Sequence, residues 1–99
     1  MQLLATKRGT ITASSGDGYS TISVSQNIIY RIIVKATTSS TVFDVSLENS
    51  YGDTVWRVND IDGEINEEIK IPFARKGTLK VLNSTRDEDF VYILMCQEN

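Results

Sequence analysis

The sequence contains no histidine, and this absence excludes several kinds of active site. Without an imidazole, the chain cannot by itself form a Ser-His-Asp or Cys-His nucleophile or a histidine metal site. The single cysteine, Cys96, likewise excludes an internal disulfide and a metal site built from paired cysteines. Because Cys96 lies in the apolar run FVYILMC, we interpret it as a small buried hydrophobe rather than as a reactive thiol.

Long apolar segments and strong positive charge are missing as well. No run approaches the roughly 18 apolar residues that a membrane span requires, and the N-terminal sequence MQLLATKRGTITASS lacks the apolar stretch of a secretory signal. The net charge is −3 and the pI about 4.8, unlike the basic surface that neutralises phosphates. We therefore expect no membrane partner, no nucleic-acid partner and no export by the general secretory pathway. Two adjacent basic pairs, Lys7-Arg8 and Arg75-Lys76, are interpreted as turn charges.

What the sequence does contain is a regular series of strand-like segments. Ile, Val and Thr dominate these segments, and their stiff β-branched side chains favour strands over helices. The segments recur about every ten residues with turn residues between them, which is typical of a sandwich or barrel. We expect strands at 9–13, 19–25 and 28–35, on both arms of a hairpin within 41–58, from about Glu68 to Pro72, and at 78–83 and 90–96. The sequence thus predicts an all-β fold, a single antiparallel β-sandwich domain over residues 1–99, jelly-roll-like, with about eight strands.

Two of these segments, 28–35 and 90–96, are apolar on both faces. Strands of this kind lie in the centre of a sheet or at an interface. Their apolar surface exceeds what one face of a small sandwich needs, so we expect a protein partner or a symmetric homo-oligomer to cover the surplus. In the first segment one face is expected to consist of Ile28, Tyr30, Ile32 and Val34.

The segment TVFDVSLENSYGDTVWRV, residues 41–58, is predicted to form a hairpin. Phe43, Val45 and Leu47 alternate with polar residues and are expected to point inward. Gly52 is expected to supply a positive φ in the turn. The sequence FARKGTL predicts a second hairpin turn, with Gly77 in the left-handed conformation.

One acidic segment, NDIDGE, offers a weak calcium-binding pattern. Asp60 and Asp62 are oxygen ligands at alternate positions before a glycine, as in a calcium loop. The isoleucine at position 69 breaks the full EF-hand pattern, which needs a glutamate there. We interpret these carboxylates as solvated loop charges, with a weak calcium site as the alternative.

A second acidic segment, RDED, contains Asp87, Glu88 and Asp89 between two strands. Paired carboxylates flank the sugar ring in glycosidases. Neighbours in one turn rarely reach the required separation, however, and a chain of 99 residues leaves little room for a deep cleft. A small carboxylate enzyme is therefore the least favoured hypothesis, and we expect a protein without enzymatic activity or cofactor.

Three aromatic residues, Tyr19, Tyr51 and Trp56, lie in or beside loops and are weak candidates for binding. Exposed aromatic faces stack on sugars or anchor protein partners. Trp56 also fits a core position, because it shares a face with Val58. These residues support an alternative function, a carbohydrate-binding module that is possibly assisted by calcium. The glycosylation pattern NST at 83–85 is interpreted as turn chemistry.

The order of elements from residue 43 to residue 95 resembles that of known sandwich families. The sequence FDVSLENSYGDTVWRV, the later EEIKIPFARKGTLKVLNS and the final FVYILM resemble the C-terminal part of bacterial pre-peptidase C-terminal-type domains. They look more like the small jelly-roll accessory proteins that decorate or cement the virions of tailed phages. This resemblance implies a non-enzymatic virion structural protein, assembled in the host cytoplasm, that binds and stabilises a capsid or other virion surface.

Overall fold

The structure, a computed structural model, describes residues 4–98, and this part of the chain contains eight β-strands and no helix. Accordingly, no helix within it is long and apolar enough to cross a membrane. The strands are β1 (Leu4–Thr12), β2 (Gly18–Ser23), β3 (Ile28–Ala36), β4 (Val42–Asn49), β5 (Thr54–Asp62), β6 (Glu64–Pro72), β7 (Lys76–Leu82) and β8 (Asp89–Gln97).

The strands form two four-stranded antiparallel sheets. Sheet I has the order β1-β8-β3-β6, and sheet II has the order β2-β7-β4-β5. Each sheet interleaves strands from the beginning and the end of the chain, which is the strand order of a jelly roll. The prediction of an all-β antiparallel sandwich with about eight strands is confirmed.

The hydrophobic core lies between the two sheets. Phe43 of sheet II and Phe90 of sheet I meet edge to face with ring centroids 4.8 Å apart. Phe43, Val45 and Leu47 point inward and are fully buried, as the alternation in the hairpin segment predicted. The other large side chains that are fully buried are Ile11, Ile22, Ile29, Ile32, Val34, Leu79, Val81 and Leu94.

The two segments that are apolar on both faces lie where the sequence placed them, as the central strands β3 and β8 of sheet I. The inward face predicted for β3 is wrong in its first half, however. The pairing register shifts between Ile29 and Arg31 on both sides of the strand. Tyr30 is the extra residue of a β-bulge opposite β8, whereas on the other side Ile69 and Lys70 of β6 together oppose Tyr30. As a result Ile29 rather than Ile28 shares the buried face with Ile32 and Val34.

Two local predictions from the sequence, both concerning where strands begin, are also corrected. Lys7 and Arg8 lie within the edge strand β1 and not in a turn. Strand β6 begins at Glu64 rather than near Glu68, because Gly63, with φ 74°, makes the corner between β5 and β6. A side chain at Gly63 is excluded by space as well, since a Cβ there would lie 2.5 Å from the Ser39 carbonyl oxygen.

The predicted left-handed conformation of Gly77 is wrong, whereas that of Gly52, with φ 85°, is confirmed. Gly77 lies in β7, and the positive φ of the preceding turn belongs to Arg75 (φ 68°). A Cβ on Gly77 would lie 2.1 Å from the Glu48 carbonyl oxygen and 2.6 Å from the Phe73 ring. Glycine is required at position 77 because a neighbouring strand and a ring approach the backbone closely.

Candidate binding surfaces

The outer face of sheet I carries an exposed row of apolar side chains. Val91 and Met95 of β8 are 50% and 40% exposed, and Ile93 between them and Ile33 of β3 are half-buried. Ile33 and Ile93 are direct cross-strand partners. We call these four residues the outer apolar row. The residues that alternate with them along β3 and β8 point inward and fill the core. The outer apolar row exists because both strands are apolar on their outer face as well.

Charged side chains surround the outer apolar row. Arg8 lies on β1, Arg31 and Lys35 lie on β3, and Glu64 and Glu68 lie on the edge strand β6. Cations therefore lie beside the row, and the acidic residues lie at the β6 edge.

Arg31 is drawn toward β6 by two polar contacts. Its Nη1 donates to Asn66 Oδ1 at 2.8 Å, and its Nη2 lies 3.7 Å from Glu68 Oε2. Glu68 is also 3.1 Å from Lys70 Nζ and accepts a hydrogen bond from the Tyr30 hydroxyl at 3.0 Å. The hydrogen bond from Lys70, followed by that from Tyr30, lowers the pKa of Glu68. These contacts hold the β6 edge anionic and keep the Arg31 guanidinium away from β8.

The structure does not bring the three candidate aromatic residues together. Tyr19 is 70% exposed on the outer face of β2, beside Lys80, and Tyr51 is 85% exposed in the β4–β5 turn. Trp56 opposes Leu47 on the inner face of β5 and packs partly buried against the core. Since β2 and β5 are opposite edges of sheet II, roughly 14 Å of sheet separates their backbones. A single stacking platform made of Tyr19 and Trp56 is therefore excluded, and each tyrosine is an isolated exposed ring.

The calcium candidates Asp60 and Asp62 lie in β5 rather than in a loop. Asp60 has a φ of 57° and is part of a bulge, in which Asn59 and Asp60 together oppose Asp44. Its amide donates to Asp44 Oδ1 at 2.9 Å, whereas Asp62 is exposed beside Gly63. The described residues contain no group of three or more acidic, histidine or cysteine side chains that could hold a metal ion. A weak calcium site at Asp60 and Asp62 stays a prediction.

The bulge in β5 instead encloses a carboxylate that the sequence analysis did not single out. Asp44 points outward from β4 but is only 7% exposed. Its other oxygen accepts hydrogen bonds from Asn83 Nδ2 at 2.8 Å and from Arg57 Nη2 at 3.3 Å. Burial acts to raise the pKa of Asp44, but the bonds from Asn83 and Asp60 and the charge of Arg57 outweigh it, so the net pKa is lowered. Because the Asn83 amide holds Asp44, the NST segment does serve a structural role.

The acidic turn before β8 connects three parts of the molecule. Asp87 accepts hydrogen bonds from the amides of Ser15 and Gly16 at 3.0 and 2.9 Å. Asp89 Oδ1 accepts one from the Thr12 hydroxyl at 2.7 Å. The carboxylates of 87–89 therefore point to different neighbours instead of facing one another across a cleft.

Glu88, the middle residue of this turn, holds the β3–β4 loop. It accepts hydrogen bonds from the Thr38 amide and hydroxyl, both at 2.9 Å, and from the hydroxyl of the fully buried Thr41 at 3.0 Å. The bond from the Thr38 amide is the main reason that the pKa of Glu88 is lowered. No glycosidase-like pair of carboxylates is formed by residues 87–89, and the absence of enzymatic activity stays a prediction.

Cys96 is buried, 1% exposed, on the inner face of β8, which confirms its interpretation as a small hydrophobe. Burial raises the pKa of its thiol, against a smaller opposite effect of Lys7. One concavity of about 380 Å³ lies at the loop end of the sandwich, beside Lys35, Asp62 and Glu64. It is an open depression rather than a cleft that would enclose a substrate.

No protein-family model and no curated protein matches the sequence, and the solved structures that are similar to this chain are distant. The Yersinia pseudotuberculosis-derived mitogen is 20% identical with a TM-score of 0.48, over 100% of this chain and 88% of that one. The core of Drosophila NLP, whose crystal structure provides insight into pentamer formation and histone binding, is 15% identical with a TM-score of 0.49. The similarity covers 96% of this chain and 99% of that one. The pre-peptidase C-terminal domain of collagenase from Bacillus anthracis is 17% identical with a TM-score of 0.47, over 97% and 90%.

Proposed function

We propose that this protein is a non-enzymatic structural protein that binds a capsid or other virion surface and stabilises it. The observation that carries the proposal is the outer apolar row on sheet I, in which Val91 is 50% and Met95 40% exposed on the inner strand β8. Contiguous apolar surface of this kind marks a site of protein association. We propose that the row is covered by protein in the assembled virion.

The structural role of Asp44 and of the carboxylates at 87–89 supports a function without catalysis. Asp44 and the acidic residues 87–89 hold loops and strands through hydrogen bonds to neighbouring backbone and side-chain groups. Their positions are thereby fixed, and this makes a rigid slab rather than a reactive cleft. A rigid slab is what a piece that reinforces a shell requires.

A second mode of attachment is available at the edge of sheet I. Strand β1 pairs with β8 on one side only, so its other side offers backbone groups along nine residues. Such an edge accepts an added strand from a partner protein. Lys7 lies opposite Leu94 on the inward-facing side of β1 and is exposed. A lysine at a sheet edge disfavours pairing of that edge with unrelated strands.

The test is co-sedimentation of the purified protein with shells assembled from the capsid protein of the same virus. We expect saturable binding and a higher temperature of shell disruption when the protein is bound. Ile93→Lys should reduce binding at least tenfold, because it places a charge in the outer apolar row. Thr21→Lys, which changes an exposed residue on the outer face of β2, is the matched control and should bind as wild type. Wild-type protein that stays in the supernatant with intact shells would overturn the proposal.

Carbohydrate binding remains as a second candidate function, favoured by the 85% exposure of Tyr51 and the 70% exposure of Tyr19. Binding on a glycan array that is lost in Tyr51→Ala, with the fold intact, would support it. An array without any signal, with and without calcium, would eliminate it.

A further inference from the structure

We infer that copies of this protein associate side by side through sheet I, with the β1 edge of one copy paired antiparallel to the β6 edge of the next copy. The inference rests on the proposed function, because it names the strand that the open β1 edge accepts. It is derived from the directions of the two edge strands, from the backbone groups on their open sides and from their charges.

Strands β1 and β6 are the two edges of sheet I, and they run in opposite directions because the three pairings that connect them are all antiparallel. A second copy that is displaced along the sheet therefore brings its β1 antiparallel to β6 of the first copy. Such a contact is heterologous, since each copy contributes a different strand on either side. It leaves the outer apolar row of every copy on the same side of the extended sheet, where a shell can contact it.

The open sides of both edges present backbone groups in matching positions. The Ala13 amide donates to the Glu88 carbonyl at 3.0 Å, and the Ala36 amide donates to the Gly63 carbonyl at 2.8 Å. Because alternate residues of an antiparallel strand bond to the same neighbour, the registers, unbroken over 4–12 and 64–68, direct the backbone groups of even-numbered residues to the open sides. These residues also carry the outward side chains, and they are Thr6, Arg8 and Thr10 of β1 and Glu64, Asn66 and Glu68 of β6.

The unpaired charges on the two edges are opposite in sign. Lys7 and Arg8 of β1 are exposed, as are Glu64 and Glu67 of β6. Within residues 4–98 none of these four side chains takes part in an ion pair, and the two other charged residues of β6 form an ion pair with each other. Pairing two β1 edges, or two β6 edges, would bring like charges together, which is unfavourable across strands. Pairing β1 with β6 brings opposite charges together.

One register satisfies both the backbone groups and the charges, and in this register Arg8 lies opposite Asn66. Lys7 then lies directly opposite Glu67 on the inward-facing side of the sheet. On the outer side, Glu64 lies diagonally across from Arg8, still within reach of a long side chain. A shift by two residues in either direction would place Lys7 against an isoleucine of β6. Since an inward-facing charge on an edge strand opposes pairing with most strands, the lysine and the glutamate select each other.

The test is sedimentation velocity of the purified chain, without shells, from about 5 µM to about 1 mM, a range suited to weak contacts. We expect species larger than a dimer, because a heterologous dimer still has one open edge of each kind. Lys7→Glu and Glu67→Lys should each weaken association about tenfold. An equimolar mixture of the two variants should recover it, because each keeps the edge that complements the substituted edge of the other. The control Lys76→Glu changes the charge of an exposed residue on the inner strand β7 and should associate as wild type.

Amide hydrogen exchange followed by NMR measures the strand pairing itself. The amides of Arg8 and Asn66, which face the open sides, should exchange rapidly in dilute protein and become protected as the concentration rises. Larger species that form without this protection would show that the contact uses another surface and would overturn the inference.

Wild-type protein that stays monomeric over this range would also overturn the inference, and so would association that stops at a dimer or that Glu67→Lys leaves unchanged. Recovery in the mixture guards against misfolding, because two damaged chains would not associate when combined. A monomer that pellets with shells overturns the side-by-side contact and supports the proposed function. An oligomer that never pellets with shells supports the side-by-side contact and overturns the proposed function.

Discussion

The Asp44 carboxylate gives the sharpest test of how sheet II is held together. It accepts hydrogen bonds from Asn83 Nδ2 at 2.8 Å, from the Asp60 amide at 2.9 Å and from Arg57 Nη2 at 3.3 Å. These partners come from two parts of the chain, strand β5 and the segment that follows β7. Replacing Asp44 with alanine removes all three acceptor contacts while leaving the backbone of β4 intact.

The expected loss of stability follows from the first two bonds. Each joins a neutral donor to a charged acceptor and contributes about 1.5 kcal/mol, for a total of about 3 kcal/mol. The Arg57 contact is longer and its side chain is 40% exposed, so it adds little. For a domain of this size a loss of 3 kcal/mol lowers the melting temperature by roughly 12 °C or more.

Urea denaturation at pH 7 measures this loss directly. Asp62→Ala, which removes an exposed carboxylate from the same end of β5, is the control and should change the unfolding free energy by less than about 0.5 kcal/mol. Asp44→Asn keeps one acceptor oxygen and should fall between the two. A loss of less than about 1 kcal/mol for Asp44→Ala would refute the assignment of these hydrogen bonds as stabilising.

The stability difference between wild type and Asp44→Ala should depend on pH. Although burial opposes it, the folded-state pKa of Asp44 lies below its ordinary value of 3.8. The unfolded state thus binds the proton more readily, and stability rises with pH across this range. The contribution of the carboxylate is complete above pH 3.8 and is lost as the pH falls through the lower folded-state value. The difference between wild type and Asp44→Ala should therefore stay constant from pH 7 to about pH 5 and shrink below 3.8.

Two further predictions concern glycine and the acidic turn. Gly77→Ala should lower the unfolding free energy by about 3 kcal/mol, because the new methyl group would press on the Glu48 carbonyl. Gly52→Ala, with open space around it, should lower it by only about 1 kcal/mol, the cost of its positive φ. Equal losses for the two variants in urea denaturation would show that the contact between Gly77 and Glu48 is misplaced. Glu88→Gln should destabilise the protein at pH 7, since an amide cannot accept all the bonds from Thr38 and Thr41. Because the pKa of Glu88 is lowered from 4.5, that deficit should close as the pH falls below this value, and a deficit unchanged at pH 3 would contradict the role of its charge.

Much of the fold follows from local alternation in the sequence. The pattern of Phe43, Val45 and Leu47 predicted their buried face, and the doubly apolar run at 90–96 predicted a central strand. The same apolar continuity explains the failure at 28–30. Where both faces are apolar, the sequence offers no preference for either one, so the bulge at Tyr30 is determined by pairing with β6 and β8.

The candidate sites were less predictable because their contacts join distant parts of the chain. Alternation correctly placed Asp44 on the outer face of its strand, where a carboxylate is normally solvated. It is buried because Arg57 and Asn83, 13 and 39 residues away, lie on either side of it. Likewise the carboxylates of 87–89 looked like candidates for chemistry until their partners, 47 or more residues away, were known.

The charges on the outer face of sheet I were also not predictable from local sequence patterns. The sequence indicates that Ile93 lies in a central strand, but it assigns Lys7-Arg8 to a turn and begins the strand before Pro72 near Glu68, so Arg8 and Glu64 are placed on this face only by the strand order and register. Strand order brings side chains from distant segments onto one surface, with Arg8 at the β1 margin, Arg31 and Lys35 on the central strand β3, and Glu64 and Glu68 at the β6 margin. A surplus of apolar residues predicts that another molecule covers the face, and it does not identify that molecule. The composition of this surface is thus a property of topology, because the four strands that form it are joined by pairing and not by their order in the sequence.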